Sequence, residues 1–113
     1  MHELSLAESL LLIIEDAARE QRFSRVKAVW LEIGQLACVD QQSLQFYFDA
    51  ITRDSIAHEA TLHIIESPGQ ARCGVCNQLC SVETYHAVCP HCGSYALKII
   101  QGGEMRIKEL EVE

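Results

Sequence analysis

The chain has 113 residues and a formal net charge of −7 at pH 7, from sixteen acidic residues against nine lysines and arginines. This length fits one domain, or a small domain that carries a metal-stabilised module, and the aliphatic content excludes a disordered chain. The acidic balance argues against nucleic acid as a partner, and no apolar run approaches the roughly 20 residues that a membrane span requires.

The N-terminal segment predicts an amphipathic helix over residues 5 to about 21. Its apolar stripe falls at helical spacing and comprises Leu4, Ala7, Leu11, Ile14 and Ala18. Ser5 and Glu8 match a capping box, so we expect the helix to begin at Ser5. The residues before Ser5 would then form a free lead-in to the helix.

Two strands and a second helix follow in the central part of the chain. Residues 25–33 are rich in β-branched and aromatic positions and predict a strand. Asp40 is the expected N-cap of the second helix. The apolar face of that helix is expected to hold Leu44, Tyr47, Phe48 and Ile51. Residues 60–66 alternate as a second strand, and the breaker at 67–69 marks the expected domain boundary.

A metal-binding module and two further strands complete the chain. The module is expected at about 70–95, followed by a strand over 95–100 and a turn at Gly102 and Gly103. Residues 105–112 predict a last strand with more apolar surface than a small module can bury. We therefore expect this strand to return to the sheet of the first domain.

The predicted fold class is α+β, with two helices packed on a small mixed β-sheet and an inserted zinc-ribbon module. Residues 1–68 together with 104–113 would form the first domain. Residues 69–103 would form the zinc-ribbon domain.

Four cysteines in two Cys-x-x-Cys pairs carry the clearest chemical signal. The pairs are separated by twelve residues and comprise Cys73, Cys76, Cys89 and Cys92. Two facing pairs offer four thiolates at the corners of a tetrahedron, which a closed structural zinc site requires. Two disulfides, an iron–sulfur cluster and a redox pair are the alternatives. Because the chain shows no export signal, we expect a cytoplasmic protein whose thiols stay reduced, and this favours a metal.

The other cysteines and two histidines have less specific interpretations. Cys38 and Cys80 are expected to be small buried apolar residues, as free cysteine commonly is. His86 and His91 lie inside the ribbon and are expected either on its surface or in a hydrogen bond to a thiolate.

The first three residues, Met1, His2 and Glu3, offer a second candidate metal site. A free α-amine, the next two amide nitrogens and an imidazole can surround a metal with four nitrogens in a plane. Ni²⁺ and Cu²⁺ accept this geometry, and Zn²⁺ does not favour it. Spacing alone does not separate such a site from a solvated chain end.

Several segments together resemble the HypA/HybF family of nickel-delivery proteins of [NiFe]-hydrogenase maturation. They are Met1-His2-Glu3, the helix opening Glu3–Leu6, the stretch Val29–Gly34 and the four ribbon cysteines. The resemblance covers essentially the whole chain. It implies that His2 is a nickel ligand with the acidic Glu3 beside it, and that the four cysteines hold zinc.

The resemblance also implies a carrier and not an enzyme. Such a metallochaperone binds Ni(II) at its N-terminus and delivers it to the hydrogenase large-subunit precursor, beside the GTPase HypB. The chain itself has no Gly-x-x-x-x-Gly-Lys-Ser/Thr phosphate loop. The sequence does not decide between a monomer and a homodimer. Neither nucleic acid nor a membrane is an expected partner.

Two other functions compete with this interpretation. A zinc-ribbon adaptor, for example one associated with nucleic acid, would keep the cysteines and make the N-terminal residues incidental. An enzyme with a catalytic zinc is less compatible with the sequence, because four cysteine ligands leave no open coordination position.

Overall fold

The computed structural model describes residues 2–113, and within that range it contains two helices and six strands. In chain order they are α1 (Glu3–Gln21), β1 (Val26–Gly34), a short 3₁₀ helix (Gln35–Ala37), α2 (Gln41–Ile51), β2 (Thr61–Ser67), β3 (Gln70–Cys73), β4 (Leu79–Ser81), β5 (Leu97–Gln101) and β6 (Met105–Val112). No helix in this part of the chain is long and apolar enough to cross a membrane.

The strands form two three-stranded sheets, in the orders β2-β1-β6 and β4-β3-β5. The last strand, β6, therefore pairs with β1 in the first sheet. The three strands of the second sheet lie between β2 and β6 in the sequence. This arrangement confirms the predicted α+β class with an inserted module.

The chain divides into two compact units. The first comprises residues 1–31, 39–64 and 107–113, and the second comprises residues 32–38 and 65–106. The division falls within β1, β2 and β6, each of which contributes residues to both units. The assignment of nickel binding and zinc binding to separate domains stays a prediction.

Helix α1 begins at Glu3, two residues earlier than the capping-box pattern predicts. His2 takes the N-cap position without a side-chain hydrogen bond, and Ser5 is exposed in the first turn. The predicted free lead-in is wrong because the Glu3 side chain turns into the fold. Its carboxylate accepts a hydrogen bond from the backbone N–H of Asp40 at 3.2 Å, which fixes the start of the helix.

The apolar face of α1 packs against α2. Ala7, Leu10 and Ile14 are fully buried on this face, whereas Leu4, which the predicted stripe includes, is 40% exposed. The buried face is rotated relative to the predicted stripe because Glu3, and not Leu4, occupies the inward position of the first turn.

Helix α2 begins where its predicted cap places it. The Asp40 carboxylate accepts a hydrogen bond from the Ser43 N–H at 3.2 Å, so the side chain satisfies one of the amides that a helix start leaves unpaired. Leu44 and Phe48, one turn apart, are fully buried as predicted. Burial of side chains of this size stabilises the first unit by about 1.5–3 kcal/mol each.

The second unit has a smaller core. Strand β3 pairs antiparallel with both β4 and β5, and this brings Ala71 opposite Cys80 and Ile99. Leu36 and Val82 complete the buried cluster. A core this small is typical of modules that need a metal or disulfides for stability.

The two isolated cysteines behave differently from each other. Cys80 is buried in the core of the second unit, as predicted. Cys38 is exposed, so its predicted burial is wrong. It follows the 3₁₀ helix in a left-handed conformation with φ 53°, at a turn that leaves its side chain in solvent.

Three glycines allow backbone segments of the second unit to approach one another closely. The Gly34 N–H donates to the carbonyl of Glu104 at 2.7 Å, and the Leu36 N–H donates to that of Gly102 at 2.8 Å. Gly102 has φ +100°, and a Cβ at this position would lie 2.5 Å from the Cα of Gly69. These contacts hold together the backbone segments around Gly34, Gly69 and Gly102.

Candidate metal centres

The four predicted cysteines of the ribbon form one compact cluster of sulfur atoms. All four Sγ atoms lie within 4.8 Å of one another. The Sγ atoms of Cys73 and Cys92 are 3.6 Å apart, as are those of Cys76 and Cys89. A tetrahedral Zn²⁺ with bonds of about 2.3 Å separates its sulfur ligands by about 3.8 Å. Since a disulfide requires about 2.05 Å, the thiols are spaced for a shared ion and not for two disulfides.

The two Cys-x-x-Cys turns have the same backbone geometry. The Asn77 N–H donates to the carbonyl of Cys73 at 3.0 Å, and the Gly93 N–H donates to that of Cys89 at 2.8 Å. Asn77 and Gly93 have φ of 62° and 75°, a left-handed conformation that asparagine and glycine adopt more readily than other residues. The residue after each pair therefore lets the chain turn back and direct two thiols to the same point.

Backbone N–H groups favour ionisation of the first thiol in each pair. The N–H groups of Cys76 and Val75 lie 3.5 and 3.4 Å from the Cys73 Sγ and lower the pKa of Cys73 to about 6. At Cys89, burial opposes ionisation, but hydrogen bonds from the N–H groups of its own turn and from the neighbouring thiols together outweigh burial and lower the pKa. These turns are built to stabilise thiolates.

The second thiol of the first pair shows why the cluster fits a cation. The Gln78 N–H favours the Cys76 thiolate, but burial and the neighbouring sulfur atoms outweigh it and raise the pKa of Cys76 to about 12. Four thiolates this close repel one another, so a central cation is needed for all four to ionise. The soft sulfur donor set suits Zn²⁺ or iron and excludes hard cations such as Mg²⁺.

The remaining candidate side chains of the ribbon lie outside the sulfur cluster. His86 and His91 are exposed, which is the simpler of their two predicted roles. The thiol of Cys80 donates to the carbonyl of Ala71 at 3.7 Å within the small core. Among residues 2–113, the four ribbon cysteines are the single group of three or more metal-binding side chains close enough to share an ion.

The second candidate site lies at the start of α1. The His2 side chain is 53% exposed, and its Nε2 is 3.8 Å from the Glu3 Oε2. The His2 carbonyl accepts the first helical hydrogen bond, from the Leu6 N–H at 2.9 Å. Because the first amides of a helix have no partner within it, the amide nitrogens of His2 and Glu3 stand outside the helical ladder. Met1, the third predicted nickel residue, lies outside the described residues.

Glu3 is a buried carboxylate, a feature that sequence reasoning missed. It is 5% exposed. The pKa of Glu3 is lowered to about 2, first by a hydrogen bond from the chain's N-terminal ammonium group and then by the Asp40 N–H. The carboxylate is therefore ionised at neutral pH beside the His2 imidazole. An acidic residue in the first turn is common for helix-dipole reasons alone, and a partner 37 positions away leaves no local signal.

Comparisons with known proteins match this chain over essentially its whole length. The family model described as hydrogenase/urease nickel incorporation, metallochaperone, hypA, matches residues 1–112. The hydrogenase maturation factor HypA of Azotobacter chroococcum mcd 1 is 53% identical over 113 residues, the whole length of both chains. That of Albidiferax ferrireducens is 51% identical over the same length. The solution structure of the Ni metallochaperone HypA from Helicobacter pylori matches with a TM-score of 0.75 and 27% identity, over 99% of this chain and 97% of that one.

Proposed function

This chain belongs to the HypA family of nickel-incorporation metallochaperones, and from that membership we propose that it binds Ni(II) at its N-terminus and delivers it to a [NiFe]-hydrogenase large-subunit precursor. The proposed nickel residues are Met1, His2 and Glu3. The full-length family match is the observation that carries the proposal, and it also identifies a carrier and not an enzyme.

The chemistry of the N-terminus suits a cargo that is bound and then released. An exposed imidazole is accessible to both the incoming ion and the acceptor protein. Nitrogen donors in a plane favour Ni²⁺ over Zn²⁺. Protons compete with the ion for the same nitrogen donors, because the amine and the imidazole bind a metal only in their deprotonated forms. Nickel is therefore expected to leave the site on acidification.

Glu3 is proposed to hold the site in place and not only to supply charge. Its carboxylate is anchored to the backbone of Asp40, so the residue next to His2 is tied to the start of α2. A negative carboxylate 3.8 Å from the imidazole also offsets the positive end of the helix, which otherwise disfavours a cation.

The four ribbon cysteines are proposed to hold a resident zinc ion. Four thiolates fill a tetrahedral site and leave no position for substrate, as in structural zinc sites. When bound, zinc supplies the charge that lets the four thiolates ionise and it cross-links the two turns. Because iron accepts the same sulfur geometry, elemental analysis of the purified protein decides between the two metals.

Nucleotide hydrolysis during transfer is proposed to come from a partner, the GTPase HypB. The chain has no Gly-x-x-x-x-Gly-Lys-Ser/Thr loop with which to bind phosphates itself. The free thiols of the ribbon suit a reducing cytoplasmic setting.

The nickel assignment is tested by titrating Ni²⁺ into the zinc-loaded His2→Ala variant by calorimetry. Loss of a direct ligand should weaken binding by more than the roughly 10- to 100-fold that loss of an outer-shell partner costs. His58→Ala is a matched control, because His58 is 51% exposed and its Nε2 also lies 3.8 Å from the following glutamate, Glu59. Unchanged affinity in His2→Ala, or equal losses in both variants, would overturn the assignment.

A further inference from the structure

A groove of about 500 Å³ opens on the surface of the second unit, and none of its lining residues belongs to either candidate metal site. The end of β2 and the residue after it contribute residues 65–68, and the end of β5 and the residue after it contribute residues 100–102. Ile65 and Ile100 are 38% and 51% exposed, so the groove presents aliphatic surface to solvent. Its volume lies within the range of about 300–1,000 Å³ that binding sites occupy.

The charged side chains of the groove are predominantly acidic. Glu32, Glu66 and Glu104 line it together with a single guanidinium, that of Arg106. The Arg106 Nε donates to the Glu32 carboxylate at 3.2 Å, so this cation is already balanced within the groove. Three carboxylates and one guanidinium give the lining residues a net negative charge beside the two exposed isoleucines.

One wall of the groove is formed by the end of an edge strand. Strand β5 pairs with β3 and lies at the edge of its sheet, in the order β4-β3-β5. The last residues of β5, Ile100 and Gln101, line the groove. The edge of a sheet accepts an added extended segment through main-chain hydrogen bonds, with specificity supplied by adjacent side-chain pockets.

We propose that this groove docks an extended segment of a partner protein that carries lysine or arginine next to aliphatic residues. The aliphatic side chains of the segment pack on Ile65 and Ile100, and its cations approach Glu104. Charge complementarity selects this occupant over an acidic one, because an acidic segment would be repelled. The proposal concerns how the carrier binds another protein. It does not depend on which metal occupies either candidate site.

The test uses the ¹⁵N-labelled, zinc-loaded full chain and the peptide Ac-Lys-Leu-Lys-Leu-Lys-Leu-NH₂ as the probe. Saturable chemical-shift changes are expected at the amides of Ile65, Ile100 and Gly102, with affinity that falls as salt rises. A peptide with serine in place of leucine separates specific docking from general attraction to the acidic chain, and one with glutamate in place of lysine reports the sign of the charge. Both should bind at least about fivefold more weakly.

Matched variants locate the binding surface. Glu104→Gln should weaken binding about fivefold, whereas Glu83→Gln, an exposed acid of the same unit outside the groove, should leave it unchanged. Ile100→Ser should weaken binding, and Leu79→Ser should not, although both parent side chains are 51% exposed.

Any one of four results would overturn the proposal. Three of them are shifts that avoid the groove, equal binding of the serine and leucine peptides, and equal losses in a variant and its matched control. Concentration-dependent shifts of the same amides without peptide would assign the groove to a second copy of the chain, and would also overturn it.

Discussion

At the scale of single residues, Glu3 connects the start of α1 with the proposed nickel site. Burying a carboxylate costs free energy unless hydrogen bonds and opposite charge compensate it. Here the N-terminal ammonium group and the Asp40 N–H supply both, and they lower the pKa of Glu3 to about 2. The side chain that fixes the helix start therefore lies directly beside the His2 imidazole.

Glu3 predicts a specific dependence of stability on pH. Because its pKa falls from an ordinary 4.5 to about 2 on folding, the ionised carboxylate stabilises the protein above about pH 4.5, and this contribution is lost as the pH falls towards 2. The Glu3→Gln variant lacks this carboxylate. Its melting temperature should therefore be lower than that of the native chain at neutral pH, and should fall less than that of the native chain between about pH 5 and pH 3. Thermal unfolding followed by circular dichroism measures both effects.

The control for this prediction is Glu8→Gln, an exposed position on the same helix. Its melting temperature should follow that of the native chain at each pH. An equally steep acid loss in Glu3→Gln and in the native chain would show that Glu3 does not carry the effect.

Residue-level prediction from sequence succeeds where the determinants are local. The four metal-site cysteines are recognisable because each Cys-x-x-Cys turn is a short-range structure followed by Asn77 or Gly93. The Glu3–Asp40 contact joins residues 37 positions apart and follows only from the packing of α1 on α2. Exposure of Cys38 likewise depends on a turn that composition does not specify.

At the scale of elements, the inserted module is expected to depend on a bound metal for its stability. Its apolar core is small, and the two Cys-x-x-Cys turns are joined to each other mainly through the sulfur cluster. Burial alone rarely stabilises a unit of this size. We therefore expect metal binding and folding of the ribbon to be linked.

Cys73→Ser is expected to lose zinc and unfold the ribbon, while α1 keeps its helical signal. Metal analysis and amide NMR spectra measure the two effects separately. Cys80→Ser is the matched control, because Cys80 is buried in the same unit and lies outside the sulfur cluster. The account is wrong if Cys80→Ser loses zinc and Cys73→Ser retains it.

Substitution of Gly102 is expected to destabilise the module more than substitution of Gly93. An alanine at this position combines a positive φ with a Cβ 2.5 Å from the Gly69 Cα. Gly93 also has a positive φ, but nothing lies within 4 Å of a Cβ placed there. Urea unfolding should show a loss of about 1 kcal/mol for Gly93→Ala and at least about 2 kcal/mol for Gly102→Ala. Equal losses would mean that the backbone near Gly69 can move.

Prediction of elements succeeds where one signal dominates. The Asp40 cap places α2 correctly, and the apolar excess of residues 105–112 correctly returns β6 to the first sheet. At α1 the capping-box pattern of Ser5 and Glu8 competes with the inward turn of Glu3, and the tertiary contact determines the start.

At the scale of the whole molecule, the two candidate sites have opposite properties. The sulfur cluster is closed by four ligands from one compact unit, which suits a resident ion. The N-terminal site is exposed and close to the chain end, which suits an ion that is handed on. The net charge of −7 attracts cations generally, so selectivity has to come from the ligand geometry.

The proposed function requires nickel to bind at the N-terminus, independently of the cysteines. The most direct test adds two glycines before Met1, which moves the amine two residues further from His2 and leaves every side chain unchanged. Two are needed because, with one added residue, the new amine, the next two amides and the His2 imidazole would again offer four nitrogens in a plane. Ni²⁺ titration and zinc analysis of the same sample should show nickel affinity lowered more than about 100-fold with the zinc content unaltered. Unchanged nickel affinity in this extended chain would contradict the account.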